Sequence, residues 1–186
     1  MTCIVGLVDD DDVIIGADSA GVCVSTFSMR VRADEKVFVR DDFIFGFTTS
    51  FRMGQLIRYK LQIPRKHESQ DLYEYMVVDF VDAVRACLKG GGFTTIRENE
   101  ERGGNFLVGH EGRLFGVEGD FQVAESSHPF DAVGCGMDLA LGAMVASECV
   151  KDPFDRVTLA LQAAAQFSAG VSDPFTLKKL SRGQPK

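Results

Sequence analysis

The chain has 186 residues, 45% of them hydrophobic, which is enough to build a core for one compact domain over residues 1–186. Its 27 acidic and 20 basic side chains leave a net charge of −7 with no Lys/Arg block, which argues against a nucleic-acid partner, and no apolar run approaches the ~20 residues of a membrane span. Five cysteines without a CxxC pair and three histidines without ligand spacing predict reduced thiols in a cytoplasmic protein that holds no metal and no cofactor.

Residues 3–8 and 13–19 read as two buried strands, and the acidic run Asp9-Asp10-Asp11-Asp12 between them reads as a solvated hairpin turn. Further β-rich segments fall at 22–31, 35–39 and 42–48. Ser50 is placed to cap a helix running to about Leu61, and Asp71 to open a second one to about Leu88, stopped by Gly90-Gly91-Gly92. The charged segment 93–104 reads as a surface loop. Strands return at 105–110, 113–118, 121–125 and 130–134, as an antiparallel meander. A third helix is expected over 138–150, a fourth over 153–168 behind Asp152-Pro153, and a polar tail after about Leu180. Ala160, Ala163, Ala164 and Ala165 let the last helix pack closely on a neighbour. Strands, two helices, strands and two helices segregate into layers, so the predicted class is α+β: a four-layer α-β-β-α sandwich of two antiparallel sheets flanked by helix pairs.

Four residues have chemistry that the elements alone do not need. Thr2 is separated from the amino terminus only by Met1, and a small second residue favours trimming of the initiator. Trimming would give one residue a hydroxyl together with a free amine, whose reference pKa near ~7.7–8.0 suits it to act as that hydroxyl's base. Asp18 lies among small residues, Gly16-Ala17-Asp18-Ser19-Ala20-Gly21. Lys36 sits on a strand beside Val37-Phe38-Val39, so its ammonium should be partly buried and need Asp18 as partner. Cys135, in Gly134-Cys135-Gly136, precedes a helix whose first N–H groups and dipole face outward there. Taken singly, Asp18 could close a turn, Lys36 could snorkel from an edge strand, and Cys135 could fill the core.

Together these segments resemble the proteasome β subunits and, more closely, the HslV-type peptidases, which are N-terminal-nucleophile (Ntn) hydrolases. The likeness is carried by Thr2-Cys3-Ile4-Val5, Ile15-Gly16-Ala17-Asp18-Ser19, Lys36-Val37-Phe38, Ile44-Phe45-Gly46-Phe47-Thr48-Thr49-Ser50, and the run from Ala132 to Gly142. The resemblance implies that Thr2 is the nucleophile, its amine the base, Lys36 the cation that eases ionisation of the hydroxyl, and Asp18 the anchor of Lys36. It also implies an oxyanion donor at the backbone of Thr49 or Ser50, and it sets Cys135 where the family usually has a serine that orients the amine. Gln166 stands near where the family often has a supporting aspartate.

The implied activity is that of a threonine endopeptidase acting on unfolded polypeptide inside a self-compartmentalised homo-oligomeric ring, built on hexamers or heptamers and fed by an ATP-dependent unfoldase. A non-proteolytic Ntn amidase and a catalytically silent shell protein are the alternatives.

Overall fold

The computed structural model describes residues 1–26 and 28–182. β1 (Cys3–Asp9) and β2 (Asp12–Ala17) pair antiparallel from Ile4↔Ala17 to Asp9↔Asp12, with the turn at Asp10 and Asp11. Alternation sends Cys3, Val5 and Leu7 to one face of β1 and Ile4 to the other; all four are buried, so the strand reads as a continuous apolar run.

β12 (Phe130–Gly134) and β13 (Thr176–Ser181) complete this first sheet in the order β12-β1-β2-β13. The second sheet has the order β11-β10-β9-β6-β5, from β5 (Val37–Arg40), β6 (Phe43–Phe47), β9 (Phe106–His110), β10 (Arg113–Val117) and β11 (Val123–Glu125). β3 (Ala20–Cys23) and β4 (Ser28–Val31) form a separate hairpin beside the sandwich.

Three apolar clusters correspond to the three seams between four layers. α4 (Met137–Ala146) and α5 (Pro153–Phe167) bury Ala140, Met144, Val157, Ala160, Leu161 and Ala164 against the first sheet. Ile4, Val13, Ile15, Val37, Ile44, Leu107 and Leu114 fill the space between the sheets. On the far side, α1 (Phe51–Tyr59) and a second long helix pack onto the phenylalanines of the second sheet, among them Phe38, Phe43, Phe45 and Phe106. That second helix runs as α2 (Leu72–Tyr75), a π-helical turn (Met76–Phe80) and α3 (Val81–Gly90). The cap residues behave as their side chains require: Ser50 accepts from Arg52 N–H, Asp71 from Glu74 N–H, and Asp152 from Phe154 and Asp155 N–H. Among the described residues, no helix is long and apolar enough to cross a membrane.

Several elements differ from the sequence reading. The 93–104 segment is a hairpin, β7 (Thr95–Arg97) and β8 (Glu100–Arg102), joined by Glu98 and Asn99 at φ of 50° and 69°. Two successive positive-φ residues suit a tight hairpin loop, but nearly all the hairpin's side chains are exposed, so no apolar alternation marked it. β12 leaves the meander and pairs with β1, Cys3↔Gly134 to Leu7↔Phe130. The tail read after Leu180 begins inside β13, an edge strand along β2 whose Lys178 and Lys179 pair with Glu35 and Asp12 at 2.9 and 2.8 Å; charge on an edge strand hides it from a hydrophobic pattern. The stretch 22–31 is two strands rather than one, and α4 ends at Ala146, short of 150.

The two sheets meet closely because Gly46 has no side chain: a Cβ there would lie 2.5 Å from Ile4 Cγ2 and 2.6 Å from Ile15 Cγ2. Gly46→Ala is expected to cost ~1–3 kcal/mol by overpacking, read as a lowered urea midpoint at unchanged m-value.

Candidate active site

Five chain segments converge at one end of the sandwich: the starts of β1 and β5 and the ends of β2, β6 and β12. The β1–β2 register places Asp18, just past β2, beside Cys3. Asp18 Oδ1 accepts from Cys3 N–H at 2.9 Å and from Lys36 Nζ at 2.8 Å, while Oδ2 accepts from Ala20 N–H at 2.8 Å and Ser172 N–H at 3.4 Å. A carboxylate that is 2% exposed is thereby supplied with donors on both oxygens.

Lys36 lies in a bend one residue ahead of β5, not on the strand itself, and is 2% exposed, so it does not snorkel. Its Nζ donates to Asp18 Oδ1 and, at 3.0 Å, to Thr2 Oγ1. Burial lowers the Lys36 pKa from its ordinary 10.5, and the neighbouring carboxylate of Asp18 opposes that shift. The two sheets are thus joined at this end by a buried ion pair whose cation touches a hydroxyl.

Thr2 is 4% exposed. Its backbone N–H donates to Cys135 Sγ at 3.3 Å and its hydroxyl to the Met1 carbonyl at 2.5 Å. Cys135 itself is exposed and lies 3.4 Å from Ser168 Oγ. Two close approaches shape this corner. Gly134 has φ +107°, and a Cβ on it would fall 2.2 Å from the Thr2 carbonyl oxygen; a Cβ on Gly170 would fall 2.3 Å from Met1 Cβ and 2.9 Å from Cys135 Sγ. The residue at the end of α5 that meets Cys135 is Ser168, while Gln166 is exposed and lines a different cavity with Gln162 and Ser172. Ser168 is the C-cap of α5, the place where a side chain can turn off the helix end. The Ser172 amide left no trace in sequence, because a backbone donor has no residue type.

Thr49 and Ser50 are not equivalent. Ser50 N–H donates to Thr48 O at 2.7 Å and is committed, so the Ser50 amide is withdrawn as an oxyanion donor. Thr49 adopts φ +65°, unusual for a β-branched residue, and its Oγ1 accepts from Asn105 N–H at 3.1 Å; among the described residues no acceptor engages its own N–H. Thr2, Thr48, Thr49 and Ser50 line one cleft of about 440 Å³, closed on its other side by the β3–β4 hairpin. The neighbouring Cys3 is no rival nucleophile, since burial and the Asp18 charge push its thiol up to about 12.

No protein-family model and no curated protein matches the sequence. Solved structures do. BPH from Thiobacillus denitrificans, in a complex with epoxomicin, superimposes with a TM-score of 0.78 at 20% identity over 98% of this chain and 100% of that one. The eukaryotic HslV of Trypanosoma brucei gives 0.63 at 18% identity over 97% and 99%. An Anbu (Gly-1) mutant from Hyphomicrobium sp. strain MC1 gives 0.67 at 16% over 98% and 84%. The chain has the fold of these proteasome-like Ntn structures, the α+β sandwich expected from sequence.

Asp18→Ala would strand a buried ammonium. A loss of ~3–5 kcal/mol in chemical denaturation is expected, part of it recovered by adding Lys36→Met, which removes the unpaired charge.

Proposed function

We propose that the chain is an N-terminal threonine endopeptidase, one Ntn-type unit over its length, that hydrolyses peptide bonds of unfolded polypeptide. One observation carries the reading: the Lys36 ammonium lies 3.0 Å from Thr2 Oγ1 and 2.8 Å from Asp18, at the edge of an open cleft. A positive charge at that distance favours the alkoxide over the neutral alcohol, which is what an otherwise unreactive threonine needs.

Chemistry requires cleavage of the Met1–Thr2 bond. While that bond exists, the Thr2 nitrogen is an amide without a basic lone pair; once cut, it is an amine seated beside Cys135 Sγ and, through it, Ser168. The amine takes the hydroxyl proton as Oγ1 attacks the substrate carbonyl, and the tetrahedral oxyanion is met by Thr49 N–H. Collapse passes the proton to the leaving amine and leaves an ester on Thr2, which an activated water then hydrolyses. Lys36 and Asp18 hold their charges throughout.

The fold likeness supports assembly of identical subunits into rings, hexameric or heptameric, which would seal the sites from folded protein, with an ATP-dependent unfoldase supplying extended chains. Free thiols at all five cysteines fit a reducing, cytoplasmic setting. The competing readings are a non-proteolytic amidase of the same fold and a silent shell protein.

Intact mass and a fluorogenic peptide decide between them. Protein lacking Met1 should hydrolyse the peptide, Thr2→Ala should abolish turnover, and Lys36→Ala should lower kcat/KM by ~10²–10³. Full activity in Thr2→Ala overturns the assignment. The pH profile should be bell-shaped: activity rises as the amine loses its proton, near its reference ~7.7–8.0, and falls as Lys36 loses its own, at a pH below the ordinary lysine value because burial depresses it.

A further inference from the structure

The cleft beside Thr2 is cationic although the chain as a whole is strongly acidic. β4 alternates and Arg32 follows it by one residue; Ser28, Arg30 and Arg32 line the cleft while Met29 and Val31 do not, and no carboxylate is in the lining among the described residues. Arg32 is held from three directions. Its Cδ occupies the space that a Cβ on Gly21 would need, at 2.6 Å; its guanidinium lies 3.9 Å above the Phe51 ring; and its Nε and Nη2 donate to Asp34 at 2.6 and 2.7 Å. A guanidinium has five N–H donors, and this pairing uses the Nε edge. The Nη1 edge remains, already oriented, for a second carboxylate. Arg30, two residues earlier on the same face, has no side-chain partner among the described residues and adds an uncompensated charge.

Resting on the peptidase reading above, we infer that this cleft selects polypeptides carrying a carboxylate side chain next to the scissile bond, bound on the free edge of Arg32 and attracted by Arg30. The charge contrast supports it: the chain carries a net charge of −7, yet the charged side chains lining this cleft are Arg30 and Arg32, so the local field there attracts a carboxylate. One group of the lining can oppose this. Hydrogen bonds from Ser25 and Thr26 bring the Cys23 thiol down to about 7, so the binding test is run at pH 6, where that thiol is neutral and a peptide glutamate is ionised.

Fluorescein-labelled peptides identical except for Glu, Gln or Lys walked through the central positions are titrated against the Thr2→Ala protein by fluorescence polarisation. At one position or more, Glu should bind at least about tenfold tighter than its neutral isostere Gln, and Lys weakest. Arg32→Gln should bring the Glu:Gln ratio to about one, and Arg30→Gln should lower it; both side chains are exposed, so neither change threatens the core. Equal binding of Glu and Gln at every position overturns the inference, as does a ratio that survives in the double Arg30→Gln, Arg32→Gln variant. The two readings fail separately. Hydrolysis by wild-type protein without charge preference removes the substrate class and leaves the peptidase; tight binding of acidic peptides that Met1-free wild type never cuts does the reverse.

Discussion

A buried ammonium and a buried carboxylate 2.8 Å apart set the conditions that the rest of the molecule satisfies. Each ion taken from water costs several kcal/mol, and their attraction offsets that only when the remaining lone pairs and protons are also occupied. Here they are. The backbone amides of Cys3, Ala20 and Ser172 complete the Asp18 shell, and Thr2 Oγ1 takes another Lys36 proton. Because Lys36 comes from the second sheet and Asp18 from the first, the pair also fastens the two sheets at one end. The hydroxyl of Thr2 is positioned as a consequence of a charge balance that the fold must keep for its own stability.

The corner around Thr2 depends on backbone in sparsely populated conformations. Gly134 takes φ +107°, which leaves room for the Thr2 carbonyl, and Thr49 is held at φ +65° with its hydroxyl tied to Asn105 N–H. The Thr49 conformation costs of order 1–3 kcal/mol and persists where the surroundings over-determine it, whereas glycine takes positive φ at little steric cost. The surroundings here are stiff: β1 is buried on both faces, and the Phe43, Phe45 and Phe80 rings stack behind β6, at the end of which Thr49 sits. A rigid double sheet holds the strained turn in place, and among the described residues the Thr49 amide in that turn has no acceptor.

Charge is distributed with the same economy. Carboxylates collect at the β1–β2 turn and other exposed edges, where Lys179 and Arg182 meet Asp12 and Asp11, whereas the cleft is lined by arginines with one partner between them. A long acidic surface and a short basic cleft are compatible because exposed charges more than about 10 Å apart are largely screened in salt.

Much of the architecture is a local property of the chain. The apolar runs of β1 and β2, the caps at Ser50, Asp71 and Asp152, and the spacing that let Asp18 and Lys36 be expected as partners all depend on residues close in sequence or on a charge that cannot be buried alone. What sequence left open was decided by register. Whether β12 continues a meander or crosses to β1, whether 176–181 is a tail or an edge strand, and whether Ser168 or Gln166 meets Cys135 depend on which strand lies alongside and where a helix ends. The same holds for the backbone: Ser50 N–H is spent within its own turn, Thr49 N–H has no acceptor among the described residues, and no residue type announces that. Side chains carry their chemistry with them, but amides acquire theirs only when distant strands come into pairing.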